Sequence, residues 1–432
     1  MMALLLSSCG SSSANNTPTP DTTVTHSDGS PVVKPTHTTT PSTVTSYAFV
    51  RQGQLWISLS GRNPVQATHF DYSSAGPNPN IFFGQPLWFA NDRFVAFTLK
   101  ALAVGLGGGG CGFDGDYGRS GELFVLDTTS MQLEQISVPG EQSTVGSNSS
   151  YNGYWEYLFS EDATHLLAWH NDSGLKSAGG LYRYDLNTYS LTLTIPSSNV
   201  PGADNHEAWY PMRYSSGQLY YENMTPAYGN NTVFTIYSHS LSNPGMPSTK
   251  VFDVGSEPFC ASQGNNPPVS GPFIEPGWDV SIDGKYLVIQ TMITNGSTTT
   301  GSVKVLMLST GKTLAIFAQA PIQVLNQDAS LSWSPDSQTV VLKSLGLPSL
   351  QIMMYSAALS SPTVMQTYNT KDIASSSDNH MVHMIWQGDG GVFAICSSQQ
   401  FHLISGVNVY KFRAGQPNGT LLLANALNFA WG

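Results

Sequence analysis

Apolar residues come in short runs rich in Val, Ile, Leu, Phe and Tyr, cut by Gly, Pro, Asn or Asp before any 3.6-residue periodicity builds up. From Tyr47 onward this pattern predicts strands joined by turns, with almost no helix. One segment recurs: an aromatic, a small polar pair, Asp or Gly, then a strand of four apolar residues. Its clearest copy is WSPDSQTVVL, from Trp333 to Leu342. Further copies are VSIDGKYLVI from Val280, FSEDATHLLAW from Phe159, WQGDGGVFAI from Trp386, FANDRFVAF from Phe89 and RYSSGQLYY from Arg213, and a final Trp431-Gly432 follows LNFA.

Placed at Phe89, Phe159, Arg213, Val280, Trp333, Trp386 and Trp431, the copies stand 45 to 70 residues apart, 57 on average. That length suits a four-stranded unit. After each copy comes a second run such as GELFVLD (121–127) or SVKVLML (302–308), then a third such as LEQISVP (133–139) or KTLAIFA (312–318). In the shared turn, Asp accepts hydrogen bonds from nearby amides and Gly adopts positive φ. The aromatic is expected to pack one unit on the next.

The Trp-Ser-Pro-Asp segment and its spacing resemble the TolB-like and WD-repeat β-propellers over nearly all of residues 47–432. The resemblance implies an all-β, seven-bladed propeller, the spacing allowing six to eight blades. Residues 47–69 supply three strands of a unit without its first, and residues 425–432 supply a first strand with nothing after it. Together they are expected to complete one blade, removing the open edges.

The N-terminus differs. Leu6-Ser7-Ser8-Cys9, after an apolar run, resembles the lipobox of bacterial lipoproteins, which implies that Cys9 is lipidated and residues 1–9 are signal-like. Residues 10–46 contain 23 Ser, Thr or Pro out of 37 and no aromatic, a composition that cannot offset the entropy of ordering. They are expected to form a disordered stalk between an anchor and the domain 47–432. The implied address is extracytoplasmic. No run approaches 18 apolar residues, so attachment to a membrane is expected through lipid alone.

Composition narrows the partners. Charged residues make up only 10% of the 432, and the net charge is -11 with no Lys/Arg cluster. Nucleic acid and anionic lipid, both recognised by positive charge, are therefore not expected as partners. A protein, peptide or glycan ligand is expected, bound by a monomer.

In such a ring the connections into the innermost strands surround the channel mouth, where propellers usually bind. There the sequence places Gln85, Tyr154 with Glu156, His206 with Glu207, Glu275, Asp328, His380 with His383, and Asn425 with Asn428. These are candidate binding residues. Gly105, Gly107 and Gly110 fit GxGxxG, but CGFDGDYGRSG after them cannot open a phosphate-binding helix. No HExxH or GxSxG occurs. A binding scaffold is therefore favoured over an enzyme, the alternative being a glycan-active hydrolase or lyase using mouth carboxylates such as Glu207, Glu275 and Asp328. No cofactor is expected. Calcium is the metal considered, at Asp114 and Asp116. With Cys9 acylated and Cys396 in an apolar strand, Cys111 and Cys260 remain as a candidate disulfide across the mouth.

Overall fold

In the repeat at Trp333 the innermost strand, Leu331–Trp333, pairs antiparallel with Thr339–Gly346 around a turn that Ser334 and Asp336 assemble. Ser334 Oγ donates to Asp336 Oδ1 (2.5 Å), which accepts the Gln338 amide (2.9 Å), while the Thr339 amide donates to Ser334 Oγ (2.9 Å). The copy at Val280 repeats the device. Ser281 Oγ donates to Asp283 Oδ1 (2.7 Å), which accepts the Lys285 amide (3.1 Å). Gly284 supplies the left-handed position there at φ 69°. The repeated Ser and Asp thus satisfy turn amides that would otherwise be unpaired.

The structure is a computed structural model. It describes residues 46–71, 81–103, 117–138, 154–171, 179–200, 212–225, 232–257, 278–295, 298–318, 331–346, 349–356, 364–370, 382–388, 392–397, 408–413 and 419–432. Cys9, the proposed stalk up to residue 45, Cys111, Asp114, Asp116, His206, Glu207, Cys260, Glu275, Asp328 and His380 lie outside them. Among the described residues no helix is long and apolar enough to cross a membrane.

Each repeat is an antiparallel meander. Sheet 2 runs through Tyr154–Ser160, His165–Asn171, Gly180–Asp185 and Ser190–Pro196. Sheet 3 spans residues 212–257, sheet 4 residues 278–318, sheet 5 residues 331–370 and sheet 6 residues 382–423, all four-stranded. Sheet 1 has five strands because its innermost strand is split. Ile81–Phe83 and Leu87–Phe89 both pair along the same edge of Phe94–Ala103, and Gly84-Gln85-Pro86 kinks between them. Pro86 has no amide to offer that ladder.

The last sheet joins the two ends of the chain. Leu427–Trp431 pairs antiparallel with Tyr47–Arg51, with Tyr47 opposite Trp431 and Val50 opposite Leu427; Gln54–Ser58 and Val65–Gln66 complete it. The three-plus-one division read from the sequence is the one observed.

The innermost strands lie side by side. Leu427–Trp431 neighbours Leu87–Phe89, which neighbours Tyr154–Ser160, then Met212–Ser215, Trp278–Val280 and Leu331–Trp333 in turn; Val382–Trp386 neighbours Leu427–Trp431. Those of sheets 3 to 5 run parallel, as does Leu427–Trp431 beside the split strand of sheet 1. Arg213 meets Asp279 and Ser215 meets Ser281, while Asp279 meets Trp333 and Asp283 meets Ser337. Apolar layers fill the gaps: Val50, Leu427, Val95 and Phe97 between the closing sheet and sheet 1; Phe94, Leu166 and Tyr182 between sheets 1 and 2. Leu167, Trp169, Leu219 and Tyr221 join sheets 2 and 3, and Tyr220, Trp278, Leu287 and Ile289 join sheets 3 and 4. The fold is a β-propeller.

The register corrects one equivalence. Trp333 pairs with Val340, Val280 with Leu287 and Phe159 with Leu167; the matching residue in sheet 3 is Tyr214, opposite Leu219, and not Arg213. Arg213 therefore occupies the place held by Asp279 one sheet later.

Candidate functional site

An innermost strand pairs on one side only, so its other edge presents unpaired amides and carbonyls to the channel. Side chains from neighbouring sheets reach several of these groups. Trp333 Nε1 donates to the Asp279 carbonyl (3.2 Å), and Trp431 Nε1 donates to the Ile385 carbonyl (3.1 Å). At Trp333 and Trp431 the repeated aromatic is thus a clip to the preceding inner strand as well as a packing element. Its ring in sheet 5 also stacks on Tyr286 of sheet 4, with centroids 5.9 Å apart.

Asp279 ties three sheets together. Its Oδ1 accepts from Arg213 Nε (2.7 Å) and from the Val280 amide (3.0 Å), and its Oδ2 accepts the Trp333 amide (2.9 Å). Arg213 also donates to the Met212 carbonyl (2.9 Å) and remains partly exposed. Burial pushes the Asp279 carboxyl up from its ordinary value, against the pull of Arg213 and the two amides.

At the junction of sheet 1 with the closing strand, neutral amides do the same work. Asn428 Nδ2 donates to the Phe83 carbonyl (2.5 Å), and Gln85 Nε2 donates to the Phe429 carbonyl. Asn428, only 1% exposed, holds a left-handed backbone at φ 46°. Among the described residues its Oδ1 and Gln85 Oε1 meet no hydrogen-bond partner.

Of the sequence candidates, the structure brings Gln85 and Asn428 together and gives both a task in joining strands. Tyr154 and Glu156 lie within the innermost strand of sheet 2, His383 within that of sheet 6 and Asn428 within the closing strand, rather than in the connections before them. The inner strands begin earlier than the repeat motif suggests because their first residues pair well beyond it, Tyr154 with Asn171 and Val382 with Ser397. Cys396 is in Val392–Ser397, opposite His383 in register. Asn425, also left-handed at φ 53°, sits in the short connection into the closing strand, where Arg51 Nε donates to its carbonyl (3.3 Å).

Glu222 was not anticipated. It stands on the second strand of sheet 3, Gln218–Thr225, 5% exposed, and its Oε2 accepts from Trp278 Nε1 (2.6 Å). Among the described residues its Oε1 meets no hydrogen-bond partner. Burial pushes this carboxyl up to about 8, with the Trp278 bond opposing, so near neutrality it is largely protonated. The signal in the sequence was a lone acid in LYYENM, on the face that Tyr220 gives to the apolar layer. Among the described residues no group of three or more His, Cys, Asp or Glu could hold a metal ion.

No protein-family model matches the sequence, and a comparison with curated proteins finds no match. Solved structures similar in course include TolB from Acinetobacter baumannii, at 15% identity over 90% of this chain and 66% of that one, with a TM-score of 0.39. The β-propeller domain of the trilobed protease from Pyrococcus furiosus has 10% identity over 79% and 85%, at 0.42. A functionally unknown protein from Desulfotomaculum acetoxidans has 11% identity over 88% and 99%, at 0.43. The chain thus spans just under two thirds of the TolB structure it matches. At such distances the likenesses carry no argument, and the architecture rests on the strand pairing described above.

Proposed function

We propose that the chain is a seven-bladed propeller that binds a protein, peptide or glycan through the loops at its channel mouth, held extracytoplasmically by a lipid on Cys9 and the stalk 10–46. Counting the five-stranded sheet as one blade with a split inner strand supports seven. The observation that supports the functional reading is the parallel run of inner strands in sheets 3 to 5 and at the closing junction, whose first residues lie toward one end. In the sequence, His206, Glu207, Glu275, Asp328 and His380 come just before such strands, chain-distant polar groups of the kind a binding face uses.

The test probes peptide and glycan arrays with the full chain carrying Cys9→Ser. Binding to a narrow ligand class, lost in Glu275→Ala/Asp328→Ala with unchanged melting, supports the reading. Cleavage of an arrayed glycan would replace it with a hydrolase or lyase. No binding, or binding indifferent to the mouth changes, would overturn it. The anchor has its own test: Cys9→Ser should move the protein out of the membrane fraction, and an unchanged distribution contradicts lipidation.

A further inference from the structure

Ser248 stands just before the outer strand of sheet 3, Thr249–Glu257, and is half-buried against a buried histidine. That residue, His239 on the third strand, is 1% exposed and places Nδ1 3.0 Å from Ser248 Oγ and Nε2 3.2 Å from the Pro244 carbonyl. A carbonyl only accepts, so Nε2 carries the proton and the Nδ1 lone pair is left to accept from the Ser248 hydroxyl. Asn199 Nδ2, from the segment after sheet 2, donates to the same carbonyl (3.2 Å) and helps to fix it. The Asn199 carbonyl is a second acceptor for Ser248, at the longer distance of 3.3 Å. Burial pushes the imidazole below its ordinary value, against the pull of the Pro244 carbonyl, so at neutral pH it is uncharged and able to take a proton.

Tyr221 lies on the same face of sheet 3, opposite Tyr237 in register as His239 is opposite Leu219. Burial pushes its hydroxyl up to about 12 while the Ser248 side chain opposes the rise, so the two hydroxyls are neighbours. Among the described residues the Tyr221 hydroxyl meets no hydrogen-bond partner, which leaves its O–H free to donate.

We propose that Ser248 is a nucleophile with His239 as its general base, an esterase-type activity separate from the channel mouth and independent of what binds there. A nucleophile within hydrogen-bond reach of a base that a third group orients is the arrangement such chemistry needs, and here the Pro244 carbonyl orients the base. Ser248 Oγ bonds to the carbonyl carbon of a small ester as its proton passes to His239 Nδ1, and the Tyr221 hydroxyl donates to the developing oxyanion. The ester C–O bond then breaks and the leaving oxygen takes the proton from His239. Water repeats the sequence on the acyl-serine, releasing the carboxylic acid and restoring Ser248. The exposed run Gly245-Met246-Pro247 just before the serine leaves it approachable from solvent by an unhindered acyl group.

The experiment treats the full chain with a fluorophosphonate, which an activated serine attacks with loss of fluoride, and with 4-nitrophenyl acetate. Mass spectrometry should show Ser248 labelled about 100-fold faster than Ser242. Ser242 is an exposed serine of the same turn whose hydroxyl bonds to Ser240 and Asn243 and not to a histidine. His239→Gln should slow the labelling of Ser248 about 100-fold, and Ser248→Ala should remove the catalysed release of 4-nitrophenolate. Tyr221→Phe should slow that release by about 100-fold. Absence of label on Ser248, or equal labelling of Ser248 and Ser242, overturns the proposal and reduces His239 to a pin for the turn. That comparison is made within the folded wild type, so it decides the matter even where His239→Gln fails to fold.

Discussion

Sheets 3 to 5 and the junction of sheet 1 with the closing strand face the same problem and answer it with different chemistry. In the first region a carboxylate, Asp279, accepts from a guanidinium and two backbone amides, and both of its oxygens are used. In the second, Gln85 and Asn428 each give one hydrogen bond to a carbonyl and leave an oxygen over. The first region is made of neighbours in sequence order, while the second joins residues about 345 positions apart. If the closing contact opens, neutral amides leave no unpaired charge behind, whereas opening the clamp would leave the Asp279 carboxyl without its guanidinium partner.

Removing the closing strand should have the largest effect. Deleting residues 425–432 exposes the edge of Tyr47–Arg51 and uncovers the apolar layers that Leu427, Phe429 and Ala430 complete. The product should aggregate on expression. A soluble product that melts cooperatively would show that the ring does not depend on this pairing.

Next comes the clamp. Asp279→Ala leaves the buried Trp333 amide unpaired and the partly exposed Arg213 without its carboxylate, a loss of about 1–3 kcal/mol. Urea unfolding measures it. A loss no greater than that of Gln85→Ala would erase the distinction between the two regions.

Glu222 sharpens the comparison through pH. Its carboxyl is raised in the folded protein, so the native state holds a proton that the unfolded chain releases near its ordinary value of 4.5. The penalty is absent below that value, grows as pH rises, and is complete above about 8. Wild type should therefore lose a few kcal/mol relative to Glu222→Gln between pH 5 and 9. Parallel pH profiles for the two proteins would mean that Glu222 is ionised in the fold.

The smallest expected change is Trp431→Phe, which keeps an aromatic but removes the bond to the Ile385 carbonyl. A loss of about 1 kcal/mol in urea unfolding is expected. No loss would reduce the clip to packing alone.

Much of this was legible in the sequence because it is local. The Ser-x-Asp turn, the meander and the three strands lacking a first are all written within a few tens of residues. The clamp was not legible: Arg213 and Asp279 look unrelated until the register sets Tyr214, and not Arg213, equivalent to Trp333. Gln85 and Asn428 were picked out as polar groups near a mouth, but their part in joining strands depends on which strands become neighbours, and no pattern within one repeat encodes that. Glu222 escaped notice because an acid in an apolar strand looks like a solvent-facing position until Trp278 from the next sheet covers it.

Hydrogen–deuterium exchange on the intact chain tests the closure most directly. If Leu427–Trp431 is an integral strand of the ring, its amides should exchange together with those of Tyr47–Arg51, both at the slow rate of global unfolding. Exchange of residues 427–431 within seconds, while the second strands of sheets 2 to 4 stay protected, would contradict a ring closed by the C-terminal strand.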